Sequence, residues 1–133
     1  MNKEFIPYEQ ALALKELGFD EPCLAFYNGK NFLDSTQYDF DLCESTRDIG
    51  QCINAPLYKQ AFRWFREKHG LVGWISSKTL DDGRIIYIPH GRTIPDTIKN
   101  NLIVDIITYF TSESYEEAEL ECLKKLIEIV KHK

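Results

Sequence analysis

The chain has 133 residues, 44% of them hydrophobic and 28% charged, the balance of one folded domain spanning 1–133 rather than of a disordered segment. A net charge of −5 and a pI near 5.2 argue against a duplex nucleic-acid partner, which calls for a basic excess. The longest mostly apolar run, 102–107, is broken by Asp105 and falls far below the roughly 20 residues that span a bilayer, and the N-terminus lacks the apolar core and cleavage site of a signal peptide, so no membrane partner is expected.

The first predicted helix is 7–17. Pro7 suits its first turn and Gly18 the position just past its end. In 23–33, Cys23, Ala25 and Tyr27 alternate with Leu24 and Phe26, and Asn28-Gly29 is the dipeptide of a tight type I′ turn, which predicts a hairpin with its second strand at 31–33. Residues 34–54 are polar and acidic; they read as a decorated surface loop or, where Tyr38, Phe40 and Leu42 alternate with Asp39 and Asp41, as a short edge strand. Pro56 and Gly70 bracket a second helix. Leu57, Tyr58, Ala61, Phe62, Trp64 and Phe65 gather in one arc of it, and Lys59, Arg63 and Arg66 on the opposite side.

Two strands, 71–77 and 84–89, follow, joined by the turn residues Asp81-Asp82-Gly83. The β-branched stretch 101–110 reads as a further strand, apolar on both faces apart from Asp105 and Thr108. The last helix opens on a capping box made by Ser114 and Glu117. Its apolar positions, from Ala118 to Val130, cover roughly 200° at about 100° per residue, nearly twice what packing on one sheet needs.

The order α-ββ-(loop)-α-ββ-β-α predicts an α+β fold. Hairpins connect most strands, which implies a mainly antiparallel sheet of about five strands with three helices gathered on one face. The surplus apolar surface of the last helix and of strand 101–110 points to a homo-oligomer, most simply a dimer, unless the first helix covers the second sheet face.

Three segments, FIPYEQALALKELGFDEPC at 5–23, APLYKQAFRWFREKHGL at 55–71 and SYEEAELECLKKLIEIVK at 114–131, resemble a large family of small uncharacterised proteins from phages and phage-like metagenomic contigs, many linked to Bacteroidetes hosts. Together they cover less than half of the chain. The family carries no assigned activity and no functional residues to map. The resemblance implies a phage origin, a setting in the host cytoplasm, and the kind of accessory protein that interferes with a host factor or host defence.

The chemistry-bearing residues are sparse. Cys23, Cys43, Cys52 and Cys122 form no C-x-x-C pair, and a metal shared by Cys43, Cys52, His69 and His90 is a weaker reading than idle reduced thiols. No cofactor is implied: there is no phosphate-binding glycine loop, no G-x-S-x-G and no H-E-x-x-H. His90, in IPHGR just after a strand, is the one histidine in a suggestive place, but a general base needs a partner within hydrogen-bond reach, and the sequence names none. The aromatic and basic content is more suggestive. Trp64, Trp74, Tyr87 and Tyr109 are able to stack on a base, and Lys59, Arg63, Arg66, Arg84 or Arg92 to meet phosphate; the bland reading makes the aromatics core and the cations a solvated face.

The leading expectation is a non-enzymatic accessory protein that binds a host protein through Lys59, Arg63 and Arg66 or through the acidic 34–54 segment. The alternative is a sponge for a small nucleotide signal of host defence, with a pocket built from Trp74, Tyr87, His90 and Arg92. A third reading is an enzyme without a recognised motif.

Overall fold

The computed structural model describes residues 4–29, 31–34, 52–93 and 110–132. The alternation expected around Tyr38 to Leu42, with Cys43, and all but Phe110 of the strand expected at 101–110 lie outside them. The chain divides into two compact units, Met1–Gln60 and Ala61–Lys133. The architecture is α+β, with three helices and five strands among the described residues. Among the described residues every strand pairing is antiparallel, but the strands form two sheets, one of three and one of two, where the sequence suggested one.

In the first unit, α1 (Tyr8–Glu16) is preceded by Pro7 in extended conformation and followed by Leu17 and Gly18, the latter at φ 101° where a side chain would be strained. Strands β1 (Ala25–Asn28), β2 (Asn31–Asp34) and β3 (Cys52–Ala55) form a sheet in the order β2-β1-β3. Asn28 pairs with Asn31, so Gly29, at φ 61°, is the first residue of the hairpin loop rather than the second. The turn thus lies one residue later than the Asn-Gly dipeptide implies. Strand β3 was not legible in the sequence. Its four residues, CINA, carry no run long enough to show a period, and they pair with β1 only through a contact distant in the chain. The core here is Ile6, Ala11, Leu14, Ala25, Phe26, Tyr27, Ile53 and Ala55. Buried Tyr27 packs edge-on against Tyr8 and Phe32, and its hydroxyl donates to the Ile6 carbonyl at 2.8 Å, which satisfies the one polar atom of that ring.

Helix α2 (Tyr58–His69) starts two residues later than Pro56 suggested. The Pro56 carbonyl accepts from the Ile6 N–H at 2.9 Å and Leu57 bridges to Phe5, so both residues are drawn into extended pairing before the helix begins. Along α2, Tyr58, Ala61, Trp64 and Phe65 are buried, Phe62 is only half-buried, and Lys59, Arg63 and Arg66 are exposed.

The second unit is built on a long hairpin, β4 (Leu71–Thr79) and β5 (Ile85–Thr93), in register from Leu71↔Thr93 to Thr79↔Ile85. Its turn closes through the Leu80 N–H on the Arg84 carbonyl at 2.7 Å, with Gly83 at φ 88°. Asp82 accepts from the Arg84 backbone and from its Nε at 2.7 Å. Both strands run longer than the sequence indicated, and β5 extends four residues past Pro89.

Helix α3 (Tyr115–Lys131) buries Ala118, Cys122, Leu123, Leu126 and Ile127 against the hairpin. Leu120, Ile129 and Val130, the rest of the wide apolar arc, are half-buried. Its cap departs from the expected reciprocal box. The Ser114 hydroxyl accepts from the Glu117 N–H at 3.3 Å, but the Glu117 carboxylate accepts from the Ser112 hydroxyl at 2.6 Å, and Ser112 Oγ in turn accepts from the Ser114 N–H at 3.0 Å. Ser112 relays the second half of the box. No helix among the described residues is long and apolar enough to cross a membrane.

Candidate ligand-binding face of the hairpin

Side chains alternate across a strand, and the β4–β5 register makes odd-numbered residues share one face and even-numbered residues the other. The odd face meets α3. Leu71, Pro89 and Gly91 are buried on it, and a Cβ built on Gly73 would stand 2.9 Å from Cys122 Sγ and 3.0 Å from Leu126 Cδ1. Gly73 is therefore what lets the helix approach. Tyr87 belongs to this face, where it packs edge-on against Tyr115 with centroids 5.4 Å apart. Its place in the expected pocket is thus corrected: the strand's alternation turns it away from Trp74, His90 and Arg92.

The even face carries Val72, Trp74, Ser76, Ile86, Ile88, His90 and Arg92, none of them fully buried. Trp74 and His90 are directly opposite in the register, and their rings stack at 5.0 Å with 9° between planes. Arg92, the next residue on the same side of β5, sets its guanidinium carbon 5.0 Å from the Trp74 ring centroid, a cation–π distance. Ser76, diagonal to His90, places Oγ 2.6 Å from His90 Nε2. The sequence named three of these four residues. It missed Ser76, whose only signal is its two-residue offset from Trp74 once His90 is known to lie in a strand and not in the loop after one.

Two features give this cluster its chemical character. The first is Arg92 Nε, a buried donor without a hydrogen-bond partner among the described residues. A buried unsatisfied N–H costs roughly 1–3 kcal/mol, more when the group is charged, and the missing partner is an acceptor, most favourably an anionic oxygen. The second is support from behind. Cys122 lies under the cross-strand pair: its Sγ accepts from the Trp74 backbone and its thiol donates to the His90 carbonyl at 3.4 Å. Burial pushes the Cys122 thiol up to about 12, so it stays protonated and structural rather than reactive.

Beside it on α3, burial and then the neighbouring Glu116 carboxylate push Glu119 up to about 7. Tyr115 is raised as well, by burial first and then by Glu119 and Cys122. These three lie on the helix side of the hairpin, away from the aromatic cluster.

The other candidate, Lys59, Arg63 and Arg66, is solvent-exposed along α2, with exposed Glu67 four residues after Arg63 on the adjoining stripe. The four side chains together are of mixed sign. Trp64 is core, stacked edge-on against Phe65 and His69. Arg84 is tied to Asp82 and to Glu113 at 3.0 Å; Tyr109 lies outside the described residues. Among the described residues no group of three or more His, Cys, Asp and Glu is placed to hold a metal. Comparison of the chain with protein-family models, with curated proteins and with solved structures finds no match.

Proposed function

We propose that the chain binds a small, planar, anionic ligand of the nucleotide class on the even face of the β4–β5 hairpin. The observation that carries this reading is Arg92 Nε, buried and without a hydrogen-bond partner among the described residues, beside the part-exposed Trp74–His90 stack. A planar ring and a negative oxygen suit this cluster together: the base stacks on the part-exposed aromatic residues and the phosphate accepts from the guanidinium. The hairpin is held rigid beneath by α3 and Cys122, so little ordering is needed on binding. In a phage setting such a chain would act as a sponge for a nucleotide signal of host defence. Contact with a host protein through Lys59, Arg63 and Arg66 is the second reading, favoured by the exposure of all three side chains.

Calorimetric titration with AMP, a cyclic dinucleotide and inorganic phosphate tests the proposal. At least one nucleotide should bind in the micromolar range, phosphate alone far more weakly. Trp74→Ala should weaken binding by about 1–3 kcal/mol, the worth of one stacked base. Absence of binding by every nucleotide, or full affinity in both Trp74→Ala and Arg92→Gln, would refute it.

A further inference from the structure

We propose that Ser76 and His90 form a nucleophile–base pair, so that this face reacts with an activated carboxylic ester as well as holding an anion. A serine hydroxyl alone is a weak nucleophile; it becomes competent when an imidazole takes its proton as the new bond forms. That requires an oxygen–nitrogen separation within about 2.6–3.2 Å, and Ser76 Oγ lies 2.6 Å from His90 Nε2. It also requires a ring held in one orientation. The near-parallel stack on Trp74 fixes the imidazole plane, and Cys122 fixes the backbone of both strands beneath it. Finally, the hydroxyl must be reachable, and Ser76 is part-exposed.

In the reaction, Ser76 Oγ attacks the ester carbonyl carbon, the carbonyl π pair moves onto oxygen, and the hydroxyl proton passes to His90 Nε2. When the carbonyl re-forms, the carbon–oxygen bond to the alcohol breaks. The departing alkoxide takes the proton back from Nε2, leaving an acyl ester on Ser76. Water then attacks that ester by the same proton path, releasing the acid and restoring the hydroxyl. Arg92, on the far side of Trp74 along the strand, is placed to hold a carboxylate or phosphate elsewhere in the substrate; this last role rests on the anion-binding reading above, while the dyad stands on its own geometry.

The test is treatment of the whole chain with diisopropyl fluorophosphate, an uncharged probe whose fluoride leaves as the serine oxygen attacks phosphorus, followed by intact-mass and peptide analysis. The expected result is one diisopropylphosphoryl group on Ser76, absent in Ser76→Ala, and formed at least tenfold more slowly in His90→Gln. Because the probe carries no anion, adduct formation on Ser76 is read independently of nucleotide binding, and the failure of either reading leaves the other standing. Since His90→Gln perturbs the stack, a second measurement uses the unmutated chain: carbethoxylation of histidine should suppress labelling, and hydroxylamine should restore it. No adduct on Ser76, or labelling of Ser76 indifferent to both His90→Gln and carbethoxylation, would overturn the proposal.

Discussion

The two faces of the β4–β5 hairpin are made by alternate residues of the same eighteen-residue ribbon, yet they are built to opposite ends. The odd face is small and tightly filled: Leu71, Gly73, Pro89 and Gly91 let α3 sit close, and the residues it presses on them are fully buried. The even face is large and part-exposed. It carries Trp74, His90, Ile86 and Ile88, leaves all of them part-exposed, and retains a buried guanidinium nitrogen without a hydrogen-bond partner among the described residues. Where α3 covers it the odd face satisfies the rules of a core, though Ile85 near the turn is 49% exposed; the even face breaks them around Trp74 and Arg92, and such departures concentrate where a protein binds or reacts.

The comparison predicts that substitutions on the helix side act on folding. The largest effect is expected for Leu126→Ala, which removes a fully buried side chain from the α3–hairpin contact. It should lower unfolding free energy by about 2–5 kcal/mol in urea denaturation. Gly73→Ala should follow at about 1–3 kcal/mol, since its methyl would meet Cys122 Sγ and Leu126 Cδ1 inside normal contact distance. If Gly73→Ala were neutral, the close approach of α3 would be wrong.

The helix side also carries a pH signature. Glu119 titrates at about 7 in the folded chain against an ordinary 4.5. Between those values the folded state holds a proton that the unfolded state has released, so stability is highest below about pH 4.5 from this group, falls as pH rises towards 7, and is flat beyond. Glu119→Gln should remove that slope. The gain at pH 8 should be about 1 kcal/mol after allowance for the solvent screening of a half-exposed carboxylate, read by denaturation at pH 4.5 and pH 8. A stability curve rising from pH 4.5 to 7 in the wild type but not in Glu119→Gln would reverse the assignment. Smallest of all should be Arg63→Glu with Arg66→Glu, two exposed positions on α2 whose replacement should change stability by less than about 0.5 kcal/mol and leave nucleotide affinity untouched.

Much of this contrast could be read from the chain alone. The long helices announced themselves by period and by their ends: Pro7 and Gly18 around α1, Gly70 after α2, Ser114 before α3. The Asp81-Asp82-Gly83 turn was equally plain. What sequence reading lost was whatever depended on partners distant in the chain. The first is β3, four residues given meaning only by β1. The second is the division of five strands into two sheets. The third is the length of β5, where Pro89 and Gly91 looked like the end of a strand but sit on the side that α3 crowds, where small or compact residues belong. That last misreading placed His90 in a loop and hid Ser76. It also admitted Tyr87 to the pocket, because without the strand's full register its parity could not be assigned.

If the even face is kept for binding at the expense of stability, Arg92 is where the cost is greatest. Replacement by methionine keeps an unbranched side chain at this position while removing the buried Nε, which has no hydrogen-bond partner among the described residues. The loss of a cation–π contact, about 0.5–1 kcal/mol, is then set against relief of an unsatisfied buried donor, about 1–3 kcal/mol. Urea denaturation of ligand-free Arg92→Met should therefore show a chain at least as stable as the wild type, and by up to about 2 kcal/mol more stable. A loss of more than about 1 kcal/mol would mean that Arg92 is a structural residue with partners of its own, and would contradict the account.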